Sequence, residues 1–306
     1  MKKNKIKFNW IIIFFLAPAF IIYTYFLIVP MFSSLRMSFY TADLFKATEF
    51  VGLANFIKLF TTSPYNERLL GAFLNNIKFF IFLCSTQNII GLILAIFLSR
   101  NIKGFGFFRS IFFLPTTMSI LVVGFLFQLI LNPIWGLFDK ILKFIGLEFL
   151  IRPWLGDPLT ALPLISIIGG WQYVGLSLIL FTAAISGIDK EIFEAARVDG
   201  ASPVGIARYI TIPLIKPVIG ILLILTYIAN FTGFDLIYAM ATQLGAPNYS
   251  TDVFGTFFYR TTFGRGTGVF NPDVGLGSAI ASVMFVLVMI GVILWIMFFR
   301  KKGEEA

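Results

Sequence analysis

The sequence predicts an all-α membrane protein with about six transmembrane helices, and three observations carry that prediction. Hydrophobic residues make up 58% of the 306 and charged residues only 13%, with a mean hydropathy of +0.90, whereas soluble domains carry about 25% charged residues. Six apolar runs each reach about 20 residues, the length a helix needs to cross about 30 Å of hydrocarbon. The basic residues punctuate those runs and form no single patch. The net charge of +9 therefore reads as a topology signal, and a nucleic-acid partner is not expected.

The first run covers residues 10–29, behind Lys2, Lys3, Lys5 and Lys7. Ala17-Pro18-Ala19 imitates a signal-peptide cleavage site, but the apolar stretch continues to the length of a full span. A retained helix kinked at Pro18 is expected. The remaining spans are expected at 77–98, 111–131, 161–185, 218–240 and 278–299. The 38 phenylalanines fall largely in and beside these runs, where lipid-facing bulk explains them.

Basic residues set the orientation. With the N-terminus inside, the segments 1–9, 99–110, 189–217 and 300–306 hold four, three, four and three Lys or Arg. The outside loops are about twice as long in total and carry fewer. The positive-inside rule thus places both termini and the 189–217 stretch in the cytoplasm of a multi-pass inner or plasma membrane protein. The outside loops 32–76, 132–160 and 241–277 hold turn and aromatic clusters such as Asn132-Pro133-Ile134-Trp135-Gly136. Such loops form either a structured surface for a partner or a simple cap on the bundle.

The 189–217 stretch is the longest central run that cannot sit in lipid. Asp189 is placed to N-cap a helix with Glu191 in its first turn. Gly200 stands where a left-handed C-terminal cap is needed. Ser202-Pro203 reads as a second start, N-cap then proline at N1, and Ile212-Pro213 as its end. Two short helices meeting near small residues are expected, with room at Ala195, Ala196, Gly200 and Ala201 for another surface.

Several chemistries are excluded. The chain has no histidine and one cysteine, Cys84, which removes His-based catalysis, His metal ligands and an intrachain disulfide. It has no G-x-x-x-x-G-K-[ST] phosphate loop and no G-x-S-x-G elbow, so neither ATP binding of that kind nor an esterase site is expected. No metal site is expected, and no catalytic residue is assigned. A secondary transporter would need ionisable residues in the membrane for ion coupling, and only Asp235 is available there.

With its flanks, the central stretch resembles the EAA loop of the membrane subunits of ATP-binding-cassette (ABC) importers. The motif stands here as Glu194-Ala195-Ala196, Asp199-Gly200-Ala201 and Ile212-Pro213-Leu214, the proline one place earlier than in many members. The flanks are similar to the carbohydrate branch, specifically the first permease of maltose and glycerol-3-phosphate systems. That similarity includes residues 50–56, Phe113-Leu114-Pro115, Trp154-Leu155-Gly156-Asp157-Pro158 and Phe234-Asp235-Leu236-Ile237-Tyr238. After Tyr238 the chain departs from the family, with Thr242-Gln243-Leu244-Gly245-Ala246-Pro247 and a Gly-rich piece at 263–268.

The resemblance implies a single 1–306 permease domain of type I ABC importer fold. It implies four kinds of partner: a second permease, two cytoplasmic ATPases that hold ATP and Mg, an external solute-binding protein and a sugar. The chain itself binds no cofactor. Glu194, Ala195, Ala196, Asp199, Gly200, Ala201, Ile212 and Pro213 would form the ATPase-coupling surface. A glycerol-3-phosphate or polyol importer is the alternative of the same type.

A solute site is expected near mid-membrane, where polar residues are expensive unless used. The candidates are Trp171, Gln172 and Tyr173 in span four and Tyr227, Asn230 and Asp235 in span five, with Thr232 beside them. Trp and Tyr offer ring faces to sugars, and Gln and Asn offer paired donors and acceptors to hydroxyls. The same amides could instead bond helix to helix. By resemblance, Asn230 matches an asparagine of the sugar site in the maltose subunit, while Gly233 replaces another. Spans three to six carry no interior Lys or Arg, which favours a neutral sugar over an anionic solute.

Overall fold

Helices dominate the computed structural model, which describes residues 10–43, 46–99, 104–264 and 272–300. Four helices are each long and apolar enough to cross a membrane: Phe14–Met37, Tyr65–Leu98, Ala161–Ser186 and Val274–Phe299. Counting each bent pair as one span brings the number to six, with Gly106–Thr117 plus Ile120–Ile130 and Pro203–Leu214 plus Lys216–Thr232. In chain order these are spans one to six. One small departure from an all-α chain is a hairpin, Tyr40–Asp43 antiparallel to Lys46–Phe50, between spans one and two.

Span four is the hub. Within its most apolar window 61% of residues are buried, against 0% for span one, which is peripheral. Its glycines explain the close packing. A Cβ at Gly170 would strike Thr86 of span two, and one at Gly175 would strike the Phe112 backbone of span three. Leu162, Ile165 and Ile168 join Leu83, Val123 and Leu236 in one core cluster. Leu178, Phe181 and Ile185 join Ala95 and Leu222 in a second. Phe254, Phe257, Leu276 and Ile280 build a third with Leu59 and Leu69.

A buried polar network ties three spans inside these apolar clusters. Ser177 Oγ donates to Asn88 Oδ1 at 2.8 Å, and Asn88 Nδ2 donates to Thr226 Oγ1 at 3.0 Å. Asn88 lies in a π-helical turn, Ser85–Ile89, within span two. In hydrocarbon such groups must find partners within the protein, and here spans two, four and five satisfy one another.

Four expectations are corrected in detail. Span two begins at Tyr65 instead of 77. Its added turns carry Asn75 and Asn76, whose amides bond the 249–254 segment and span five. Span three is not one rod over 111–131: its halves meet at 94°. Pro115, which has no N–H, sits in a 3₁₀ turn at Leu114–Thr117, and an extended Ser119 starts the second half. The helix of span five stops at Thr232, where Gly233 is extended, and a separate helix Asp235–Ala241 follows. Pro18 lies inside an unbroken helix, and the irregularity of span one is a π turn at Thr24–Ile28. Residues 1–9, 44–45, 100–103, 265–271 and 301–306 lie outside the described residues, and with them Arg100, Lys103 and positions 265–268 of the Gly-rich piece.

Candidate functional site

The 189–217 loop folds as its caps dictate. Asp189 accepts from the Glu191 N–H at 3.0 Å and starts the helix Lys190–Val198. Gly200, at φ +77°, ends it in the left-handed conformation. Ala201 N–H then returns to the Ala196 carbonyl at 2.9 Å and Gly200 N–H to Arg197 at 3.1 Å. Ser202 Oγ accepts from Gly205 N–H at 3.1 Å, with Pro203 next at N1. The second helix ends within one residue of Ile212-Pro213, at Leu214. It passes through a π turn, Ala207–Thr211, and meets Lys216–Thr232 at 69°.

The loop presents an apolar surface beside charged residues. Val198 is 87% exposed and Tyr209 73%, with Val204 and Leu214 also exposed. Glu194, Ala195, Asp199, Gly200, Ala201, Ile212 and Pro213 are exposed as well. Glu194 forms no hydrogen bond or ion pair among the described residues. Ala196 differs: it is buried in the chain's own packing. Nothing lies within 4 Å of a Cβ built at Gly200, so its glycine serves the left-handed turn.

The pathway candidates separate into committed and open groups. Gln172 is fully buried, and its Nε2 donates to the Met118 carbonyl at 3.0 Å. The Gln172 main-chain carbonyl accepts from Thr116 Oγ1 at 2.9 Å. Asn230 and Asn76 exchange bonds, each Nδ2 donating to the other's main-chain oxygen at 3.0 and 2.9 Å. Gln172 Oε1 and Asn230 Oδ1 are buried with no partner among the described residues. Tyr227 OH donates to the Leu287 carbonyl of span six at 2.8 Å.

Trp171 and Asp235 are exposed and Tyr173 half-buried. Trp171 packs edge-on against Phe127 at 5.4 Å. No hydrogen bond or ring contact joins the span-four candidates to those of span five among the described residues.

Sequence reasoning passed over a polar cluster at the Tyr65 end of span two. Arg260, fully buried, holds Asp252 with both guanidinium ends, at 3.1 and 2.7 Å. Burial pushes the Asp252 carboxyl above its usual range, against the pull of Arg260, Thr256 and Arg68. The signal available was the charged pair itself, eight residues apart in a stretch read as loop.

Comparison with known proteins covers nearly the whole chain. The family described as "Binding-protein-dependent transport system inner membrane component" matches residues 87–302. "Probable ABC transporter permease protein YurN" of Bacillus subtilis is 32% identical over 95% of this chain and 96% of its own. The "Trehalose/maltose transport system permease protein MalF" of Thermococcus litoralis is 30% identical over 94% of this chain and 92% of its own. Among solved structures, a chain of a bacterial ABC transporter involved in the import of the acidic polysaccharide alginate superposes with a TM-score of 0.80. It is 25% identical, over 96% of each chain.

Proposed function

The chain belongs to the binding-protein-dependent transport system inner membrane component family, and from that premise we propose that it is one permease of an ATP-driven importer for a sugar or oligosaccharide. The observation that carries the sugar reading is likeness over 94% of the chain to a permease of a trehalose/maltose system. In this reading a second permease completes the pore, an external binding protein delivers the solute, and two separate ATPase subunits hold ATP and Mg. The chain spans the membrane with both termini and the 189–217 loop in the cytoplasm, as its distribution of Lys and Arg supports.

The loop couples the two sides mechanically. Exposed Val198, Val204 and Tyr209 supply apolar area for an ATPase. Glu194 supplies an open charge, and Ala195, Gly200 and Ala201 let a partner backbone approach. The 69° junction at Ile215 joins the loop's second helix, Pro203–Leu214, to Lys216–Thr232, so a displacement of the seated loop rotates Lys216–Thr232. ATP binding thereby biases the pore between two states, and hydrolysis resets it. Trp171, Tyr173 and Asp235 are the candidates free to face solute. Gln172 and Asn230 can face it only through their unpartnered carbonyl oxygens.

Uptake by the chain co-reconstituted with its partner subunits tests the reading. Labelled sugar should accumulate only with ATP and the binding protein present. Accumulation without either would refute it.

A further inference from the structure

We propose that a cleft at the Tyr65 end of span two is a binding site for an oxyanion, a carboxylate or phosphate group, organised by Arg68. The cleft encloses about 260 Å³ between Arg68, Asn75 and Lys78 on span two and the turn at 248–252. Asn75 Nδ2 fixes that turn by donating to the carbonyls of Tyr249 at 3.2 Å and Asp252 at 2.9 Å. Asn248 and Tyr249 have φ of 49° and 60°, a left-handed conformation in which bulky side chains are outliers. It sets the Tyr249 ring against Arg68, whose guanidinium carbon lies 3.4 Å from the ring centroid.

This stack occupies the face of the guanidinium and leaves its donors unspent. Arg68 Nε is buried with no hydrogen-bond partner, and so is Ser250 Oγ in the same cleft. Buried polar atoms are rarely left so unless a ligand or water completes them. A planar fork held flat on an aromatic ring is pre-organised for a carboxylate or phosphate.

The neighbouring carboxylates are already engaged. Asp252 is compensated by Arg260 and bonded by Thr256, while Glu67, exposed at the rim, accepts from Ser63 Oγ at 2.9 Å and its charge is screened by water. Lys78, exposed in the same cleft, forms no ion pair among the described residues. Ten residues of helix separate it from Arg68, about 15 Å, which suits an anionic head on an extended body. The site is independent of which solute the pore carries.

Such an oxyanion could come from a soluble acidic sugar or from a phospholipid headgroup, and two arms separate them. The purified full-length chain is titrated with glucuronate and with inorganic phosphate, with glucose as the neutral control. It is also delipidated, offered equal phosphatidylglycerol and phosphatidylcholine, and examined by native mass spectrometry. Saturable glucuronate or phosphate binding identifies the soluble source, and selective retention of phosphatidylglycerol the lipid source.

In either arm Arg68→Gln should weaken binding at least tenfold and Lys78→Gln severalfold, with loss at high salt. Lys78 is exposed, so its variant remains readable if Arg68→Gln unfolds. The proposal is overturned by three results: no saturable binding in either arm, glucose binding as tightly as glucuronate, or affinity unchanged in Lys78→Gln.

Discussion

The side-chain amide of Gln172 donates to the Met118 carbonyl at 3.0 Å, at the point where span three turns through 94°. Thr116 closes the clamp from the other side by donating to the Gln172 carbonyl. A carbonyl freed by the loss of regular helix in hydrocarbon must be satisfied from elsewhere, and span four supplies the donor.

Gln172→Leu should therefore cost about 1–3 kcal/mol through an unsatisfied, partly buried carbonyl. Thermal unfolding of the purified chain checks this and should show a lowered midpoint. An unchanged midpoint with a changed KM for solute would instead assign Gln172 to the pathway.

The reciprocal Asn76–Asn230 pair predicts coupling. Asn76→Ala and Asn230→Ala should each destabilise, and the double variant should lose less than their sum, by about 0.5–3 kcal/mol. Additive losses in a double-mutant cycle would show that the exchanged bonds carry no net energy.

Gly175 lies against the Phe112 backbone of span three. Gly175→Ala leaves no room for its Cβ and should reduce the yield of folded chain, with a cost of about 1–3 kcal/mol from overpacking. Gly71, which has nothing within 4 Å of a built Cβ, is the control. Gly71→Ala should be neutral or stabilising, as read by unfolding midpoints.

Buried Arg260 and Asp252 should tolerate the loss of one partner poorly. Arg260→Met strands a buried carboxylate and should cost about 3–5 kcal/mol. Asp252→Asn should recover part of that loss in the Arg260→Met background, measured as the rise in unfolding midpoint.

What could be read from the sequence divides along a physical line. The caps at Asp189, Gly200 and Ser202 were legible because capping is local chemistry within a few residues. The apolar runs were legible because hydropathy sums over a window. That same averaging hides direction: the two halves of span three are equally apolar, and the break between them depends on Pro115 and on bonds to Gln172.

The early start of span two was hidden for a similar reason. Asn75 and Asn76 read as loop until their partners at Tyr249, Asp252, Asn230 and Phe254 are known. Polar residues inside a span announce a use. Gln172 and Asn230 show that the use can be a helix–helix bond as readily as a solute contact.

The most direct test of the coupling account is ATP-driven uptake by the reconstituted importer carrying Glu194→Lys in the 189–217 loop. The variant chain should insert and assemble with the second permease at wild-type levels. Solute accumulation and solute-stimulated ATP hydrolysis should both fall to background. Wild-type uptake and ATPase stimulation in that variant would contradict it.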